Sequence, residues 1–328
     1  MSAQHEGVFD FDALDACSWE DADEESCAED ADASGGSIAN PLQLGVQRNQ
    51  AEVDTIWQAS VPLILQTYLS QQASDGPDLL IGGHRLPPQR FPALQKITWP
   101  NKADPPVPLD YFIWRTLPRE GERMPMLIFL HGASASKDAR GLEVLAYQSW
   151  WLPRCPQELL VVLPHCPDSR RSFMAAPIKA ALLALIDKFI TEGIADPMQI
   201  YVAGVSMGGV AAWELAADAA EGSAPFAAAV PVCAAMLDTV RAPKLAEFPL
   251  WAFHGANDAV MPVKHSDEAI STTAAAASGL GCVAPLRYTR YDWSPPTRHR
   301  ESTGVGHAAW EQAFDDADLW PWLLQQRR

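Results

Sequence analysis

The stretch IYVAGVSMGGVAAWELA, residues 200–216, decides the fold. An apolar run containing β-branched residues enters Gly204-Val205-Ser206-Met207-Gly208 and leaves directly into a segment with the spacing of an amphipathic helix. A serine at such a junction sits on a sharp, strained turn that exposes its hydroxyl, and small residues on either side let strand and helix approach each other. Gly204, Gly208 and Gly209 supply that room. A bare five-residue GxSxG match is common by chance; the strand, turn and helix around it make this one a nucleophile elbow.

Reading outward from the elbow, short apolar runs alternate with helical segments from about residue 109 onward. The runs are LDYFIWRTLP (109–118, read as an edge strand), MLIFL (126–130), LLVVLP (159–164), IYVAGV (200–205), FAAAVPV (226–232), LWAFHG (250–255) and LRYTRY (286–291). The helical segments are 178–191, 207–220, 265–277 and 308–314. This alternation predicts an α/β protein whose doubly wound, mostly parallel sheet carries helices on both faces.

A serine hydroxyl is a poor nucleophile until an imidazole takes its proton, and the imidazole needs a carboxylate to hold the right tautomer. In a sheet of this kind the chain order is serine, acid, histidine. That order removes His5, His84, His131, His165 and His254 as the base and leaves His265, His299 and His307. His265 falls inside an expected helix, and His299 lies between Arg298 and Arg300 as a surface histidine would. His307 follows Gly304-Val305-Gly306 and precedes AAWEQAF, so it sits on a loop able to reach over the carboxyl edge of the sheet. For the acid, Asp258 stands just past LWAFHG in HGANDAVMPV, with Asp238 as the alternative. The oxyanion of a tetrahedral intermediate needs N–H donors, and Met207 and Ala133 are the candidates, with Ser134 as a substitute for Ala133. His131-Gly132 reads equally well as ordinary strand-to-loop punctuation.

Together HGA (131–133), GVSMGG (204–209), HGANDAVMPV (254–263), GVGHAAWEQAF (304–314) and LWPWLLQQRR (319–328) resemble the α/β-hydrolase superfamily. The nearest likeness is its predicted-peptidase and carboxylesterase branch, which includes polyhydroxybutyrate depolymerase-like and feruloyl esterase-like proteins. The resemblance covers roughly residues 109–328. It implies a cofactor-independent serine hydrolase that cleaves carboxylic esters of small molecules through an acyl-enzyme, with Ser206, Asp258 and His307 in the matching positions. The oxyanion loop GASASKDARG (132–141) departs from the glycine-richer form. A serine peptidase of the same fold is the alternative, and so is a non-catalytic binding protein.

Composition bounds the rest. The 328 residues, 48% of them hydrophobic, suffice for one large core plus an extension. Residues 1–32 hold twelve acidic side chains and no Lys or Arg, leaving −5 of the net charge of −17 for everything else. Such a run repels itself and lacks the apolar residues to offset chain entropy. Residues 1–37 are therefore expected to be a disordered acidic tail that can at most recruit a basic protein. Residues 38–108 are expected to form an N-terminal extension, helix-like over 52–72 and dense in Pro and Gly over 75–108. The charge argues against nucleic acid, whose affinity for proteins comes largely from Lys and Arg. No apolar run reaches the roughly 18 residues of a membrane span, and the N-terminus lacks a secretory pattern, so a cytoplasmic protein is expected. The six cysteines show no CxxC pair or zinc spacing, so reduced thiols, no metal and no cofactor are expected.

Overall fold

The computed structural model describes residues 95–99, 109–114, 121–136, 148–149, 151–166, 172–281, 285–296 and 306–328. The acidic tail, the helix expected over 52–72, His299 and Trp150 lie outside the described residues.

Eight strands form a single sheet: β1 (Gln95–Trp99), β2 (Leu109–Trp114), β3 (Met124–Leu130), β4 (Leu160–His165), β5 (Ala195–Val205), β6 (Ala228–Val232), β7 (Leu250–Gly255) and β8 (Leu286–Tyr291). Their order across the sheet is β1-β2-β4-β3-β5-β6-β7-β8. The pairs β1–β2 and β2–β4 are antiparallel, and every other neighbouring pair is parallel. The helices are α1 (Ala176–Thr191), α2 (Met207–Ala220), α3 (Lys264–Gly279), α4 (Trp310–Ala313) and α5 (Leu319–Gln325).

Strands covered on both faces must be apolar at every position, and alternate residues then feed two cores. In β3, Met126, Ile128 and Leu130 join a core with Ile178, Leu182 and Leu185 of α1, Trp213 of α2 and Ala269 of α3. Leu127 and Phe129 of the same strand face a second core with Trp310 of α4 and Leu319, Trp322 and Leu323 of α5. Trp151 is fully buried there, stacked on Phe314 at 4.7 Å between ring centroids, so it is a core residue.

One local reading needs correction and one is refined. The run 109–114 is not an edge strand, because β1 pairs with residues 109–113 on one side and β4 with residues 110–114 on the other. Residues 75–108, whose Pro- and Gly-rich pattern signals turns and extended segments without a regular core, contain β1; backbone pairing with β2 makes a strand of one such segment. The sequence LWPWLLQ forms α5 despite Pro321, which occupies the first turn, where no intrahelical N–H bond is required. A 3-10 segment, Thr239–Glu247, also has no counterpart in the periodic pattern; it contains Pro243 and buries Ala242, Leu245 and Ala246. Among the described residues, no helix is long and apolar enough to cross a membrane.

Candidate active site

Ser206 closes β5 and precedes α2 with φ 52° and ψ −120°, a strained conformation for a residue with a side chain. The surroundings hold it there. Its N–H donates to the Val232 carbonyl of β6 at 3.1 Å. At Gly208 a side chain would overlap the backbone carbonyl of Leu130 at the end of β3, so only glycine lets α2 start this close to the sheet. Ser206 itself is half-buried.

Across β6, the acid and the histidine are assembled together. Asp258 follows β7, and its Oδ1 accepts the N–H groups of Val260 and Met261, both at 2.9 Å. Its Oδ2 accepts from His307 Nδ1 at 2.8 Å and lies 3.2 Å from His254 Nε2. Burial pushes the Asp258 carboxyl up, but the charge of His307 and the hydrogen bonds from His254 and His307 outweigh it and bring it down to about 2. The carboxylate is thus an acceptor only, which places the His307 proton on Nδ1 and leaves the Nε2 lone pair free to act as a base.

The loop carrying His307 is pinned to the acid loop. Asn257 Nδ2 donates to the Ser294 carbonyl at 3.1 Å, and Ser294 N–H donates to Asn257 Oδ1 at 2.8 Å. Ser294 Oγ donates to Gln312 Oε1 at 2.8 Å, which ties in α4. Gly306, with φ 71°, lies against the Asn257 backbone where a side chain would overlap it. His307 is 5% exposed and stands edge-on to Trp310.

Among the described residues no hydrogen bond joins Ser206 to His307. The two halves nonetheless meet at Cys233, a residue at φ 44° just past β6. Burial first, and then the negative charge of Asp258, push its thiol well above the usual range, while a hydrogen bond from the Ser206 backbone opposes them. The serine and the acid therefore flank one buried side chain.

The third part of the site is the loop after β3. His131 is fully buried; its Nε2 accepts the Cys166 N–H at 3.0 Å, so its proton is on Nδ1, which donates to the Gly132 carbonyl at 2.8 Å. Burial, helped by His165, drives this imidazole down to about 3 against the pull of Gly132, so it is neutral throughout the ordinary pH range. Gly132 N–H donates to Gln148 Oε1 at 2.8 Å, and the Gly132 carbonyl also accepts from Ala135 N–H. A peptide unit is planar with C=O and N–H opposed, so pinning the Gly132 carbonyl directs the Ala133 N–H the other way. Among the described residues, neither that N–H nor the Met207 N–H at the start of α2 is engaged in a hydrogen bond. Gly132 packs beside Ser206: a Cβ built on it would stand 3.4 Å from the serine Cβ.

The structure thus brings Asp258 and His307 together and sets Ala133 and Met207 in the two segments flanking Ser206. The other candidates go elsewhere. Asp238 is exposed and caps the 3-10 segment by accepting from Val240 N–H at 3.2 Å. His265 lies in the first turn of α3, and Ser134 is within a short 3-10 turn, Ala133–Ser136. The sequence reading missed His254 and His131, both set aside as the base on chain order; His254 Nε2 lies 3.2 Å from Asp258 Oδ2, and His131 fixes the Gly132 carbonyl.

No protein-family model and no curated protein matches the chain. Solved structures do. A thermostable esterase aligns over 72% of this chain and 63% of its own, at 25% identity and a TM-score of 0.59. A puromycin-hydrolyzing peptidase of Mycobacterium tuberculosis aligns over 71% of this chain and 40% of its own, at 16% identity and a TM-score of 0.51. A puromycin hydrolase aligns over the same shares at 17% identity and a TM-score of 0.50. The chain therefore spans less than two thirds of the length of each. The strand order, the elbow and these likenesses define the α/β-hydrolase fold.

Proposed function

We propose that the chain is a serine hydrolase that cleaves carboxylic esters of small molecules, with Ser206 as nucleophile, His307 as general base and Asp258 orienting it. The observation that carries this reading is the 2.8 Å bond from His307 Nδ1 to a buried, ionised Asp258; a serine held at positive φ at the end of β5 supports it. His307 Nε2 takes the Ser206 proton as Oγ bonds to the ester carbonyl carbon, and the carbonyl oxygen becomes an oxyanion received by the N–H groups of Met207 and Ala133. The C–O bond to the alcohol then breaks, and the alcohol leaves with the proton from Nε2. Water repeats the sequence on the acyl-enzyme, releasing the acid and restoring Ser206. The likeness to the thermostable esterase supports an ester substrate. The motifs of residues 131–133, 204–209, 254–263 and 304–314 support the carboxylesterase branch in particular.

A fluorophosphonate probe is expected to modify Ser206, with p-nitrophenyl acyl esters turned over and Ser206→Ala slowing them at least about 10⁴-fold. Equal turnover by both proteins would sink the proposal, and cleavage of fluorogenic peptides in preference to esters would move it to a peptidase.

A further inference from the structure

His254 is the last side chain of β7 before Gly255, is fully buried, and takes no part in the proton transfers described above. Its ring is fixed at both nitrogens. Nδ1 lies 2.7 Å from Ser266 Oγ of α3, and that oxygen donates to the Ala234 carbonyl at 2.8 Å. Nε2 lies 2.8 Å from the Met261 carbonyl and 3.2 Å from Asp258 Oδ2. Both groups facing Nε2 are acceptors, so Nε2 carries a proton whatever the state of the rest of the ring.

The geometry points to His254 as a positioning residue for the acid, holding the same Oδ2 that receives the His307 proton. This rests on the serine hydrolase reading. An Asp258 carboxylate held only by Val260 and Met261 N–H groups through Oδ1 can still rock about its side-chain torsion, carrying Oδ2 away from His307. The Nε2–H of His254 approaches Oδ2 from a ring that cannot turn, because α3 and the segment after β6 clamp its far side. The carboxylate thereby receives three N–H donors and a share of the His254 Nε2–H, which is divided between the Met261 carbonyl at 2.8 Å and Oδ2 at 3.2 Å, and its plane is fixed before any substrate arrives. Preorganisation of this kind acts on the rate of the proton transfer and leaves substrate affinity alone.

The test uses the full chain, labelled with ¹⁵N-histidine, in wild type, His254→Leu and His254→Gln. His254→Leu removes the donor, and His254→Gln keeps an N–H near the Nε2 position. Expected are fluorophosphonate labelling of Ser206 slowed between about 10- and 100-fold in His254→Leu, loss of the protected His307 Nδ1–H proton signal, and partial recovery of both in His254→Gln. Labelling at the wild-type rate with an unchanged His307 signal in His254→Leu would overturn the assignment, and so would a glutamine variant no better than the leucine one. Should His254→Leu fail to fold, Asp258→Asn decides: the His254 Nε2–H and His307 Nδ1–H signals must both move, and a stationary His254 signal refutes the contact. Absence of labelling in the wild type would defeat the serine hydrolase reading by itself, while the proton signals still judge the His254–Asp258 bond.

Discussion

Gly306 lies so close to the Asn257 backbone that no side chain fits between them. The contact joins the loop carrying His307 to the loop carrying Asp258, and the Asn257–Ser294–Gln312 bonds extend the join into α4. Gly306→Ala adds both an overlap and a positive-φ strain, so a loss of about 1–3 kcal/mol in urea unfolding is expected. On the proposed roles, probe labelling of Ser206 should fall at least about tenfold, since His307 is displaced. Wild-type labelling by a destabilised Gly306→Ala protein would show that the join serves stability alone.

Asp258 makes stability depend on acid. Its carboxyl is held at about 2, below the ordinary 3.8. A depressed carboxyl contributes stability that is fully present above the unfolded value and is lost as pH falls from about 4 toward 2. The contribution is on the order of 2 kcal/mol. Unfolding free energies of wild type and Asp258→Asn should therefore converge as pH falls through this window; parallel curves would contradict it.

His131 works in a higher window. It is buried neutral and titrates at about 3, against 6.5 for an ordinary histidine. The unfolded chain takes up the proton first, so stability is complete above about 6.5 and declines as pH falls toward 3, by on the order of 4 kcal/mol. His131→Asn, whose amide can still donate to the Gly132 carbonyl, should flatten that part of the stability profile. A variant with the wild-type slope between pH 6.5 and 4 would rule the assignment out.

Arg241 ties the 3-10 segment to α2 through Glu214, Asp218 and Glu221. Glu214 and Asp218 are nearly buried, and burial raises the Glu214 carboxyl despite the pull of Arg241. Arg241→Leu leaves Glu214 with only the Leu237 and Asp238 N–H groups, while Asp218 keeps Lys179, and a loss of about 1–3 kcal/mol at neutral pH is expected. The loss should shrink as pH is lowered and Glu214 takes up a proton. Equal loss at pH 7 and pH 5 would place the effect in packing of the arginine stem.

Much of this arrangement is legible in the chain. The elbow shows because close approach of α2 to the end of β3 demands glycine at Gly208. The positions of Asp258 and His307 follow from chain order and from the carboxyl edge of the sheet, where loops after β7 and β8 converge. His254 was hidden because its chain order excludes it as the base, and the bond it makes to Asp258 depends on the turn between them. The four-residue spacing from the end of a strand was the available signal. His131 was hidden because its role is to fix a peptide plane, which requires knowing that Cys166 N–H meets the far side of its ring. β1 was hidden because its pairing with β2 is a backbone property.

β6 is the one strand between the strand ending in Ser206 and the strand leading to Asp258. Two interstrand steps, about 10 Å, therefore separate the strand end that carries Ser206 from the strand end that leads to Asp258, and the loop after β8 brings His307 back onto Asp258. That width is set by backbone bonding repeated along the whole sheet, and side-chain replacement leaves it untouched. Replacement of side chains in the surrounding loops can accordingly reshape what lies around Ser206 and Asp258 while the spacing of the strand ends that carry them stays constant.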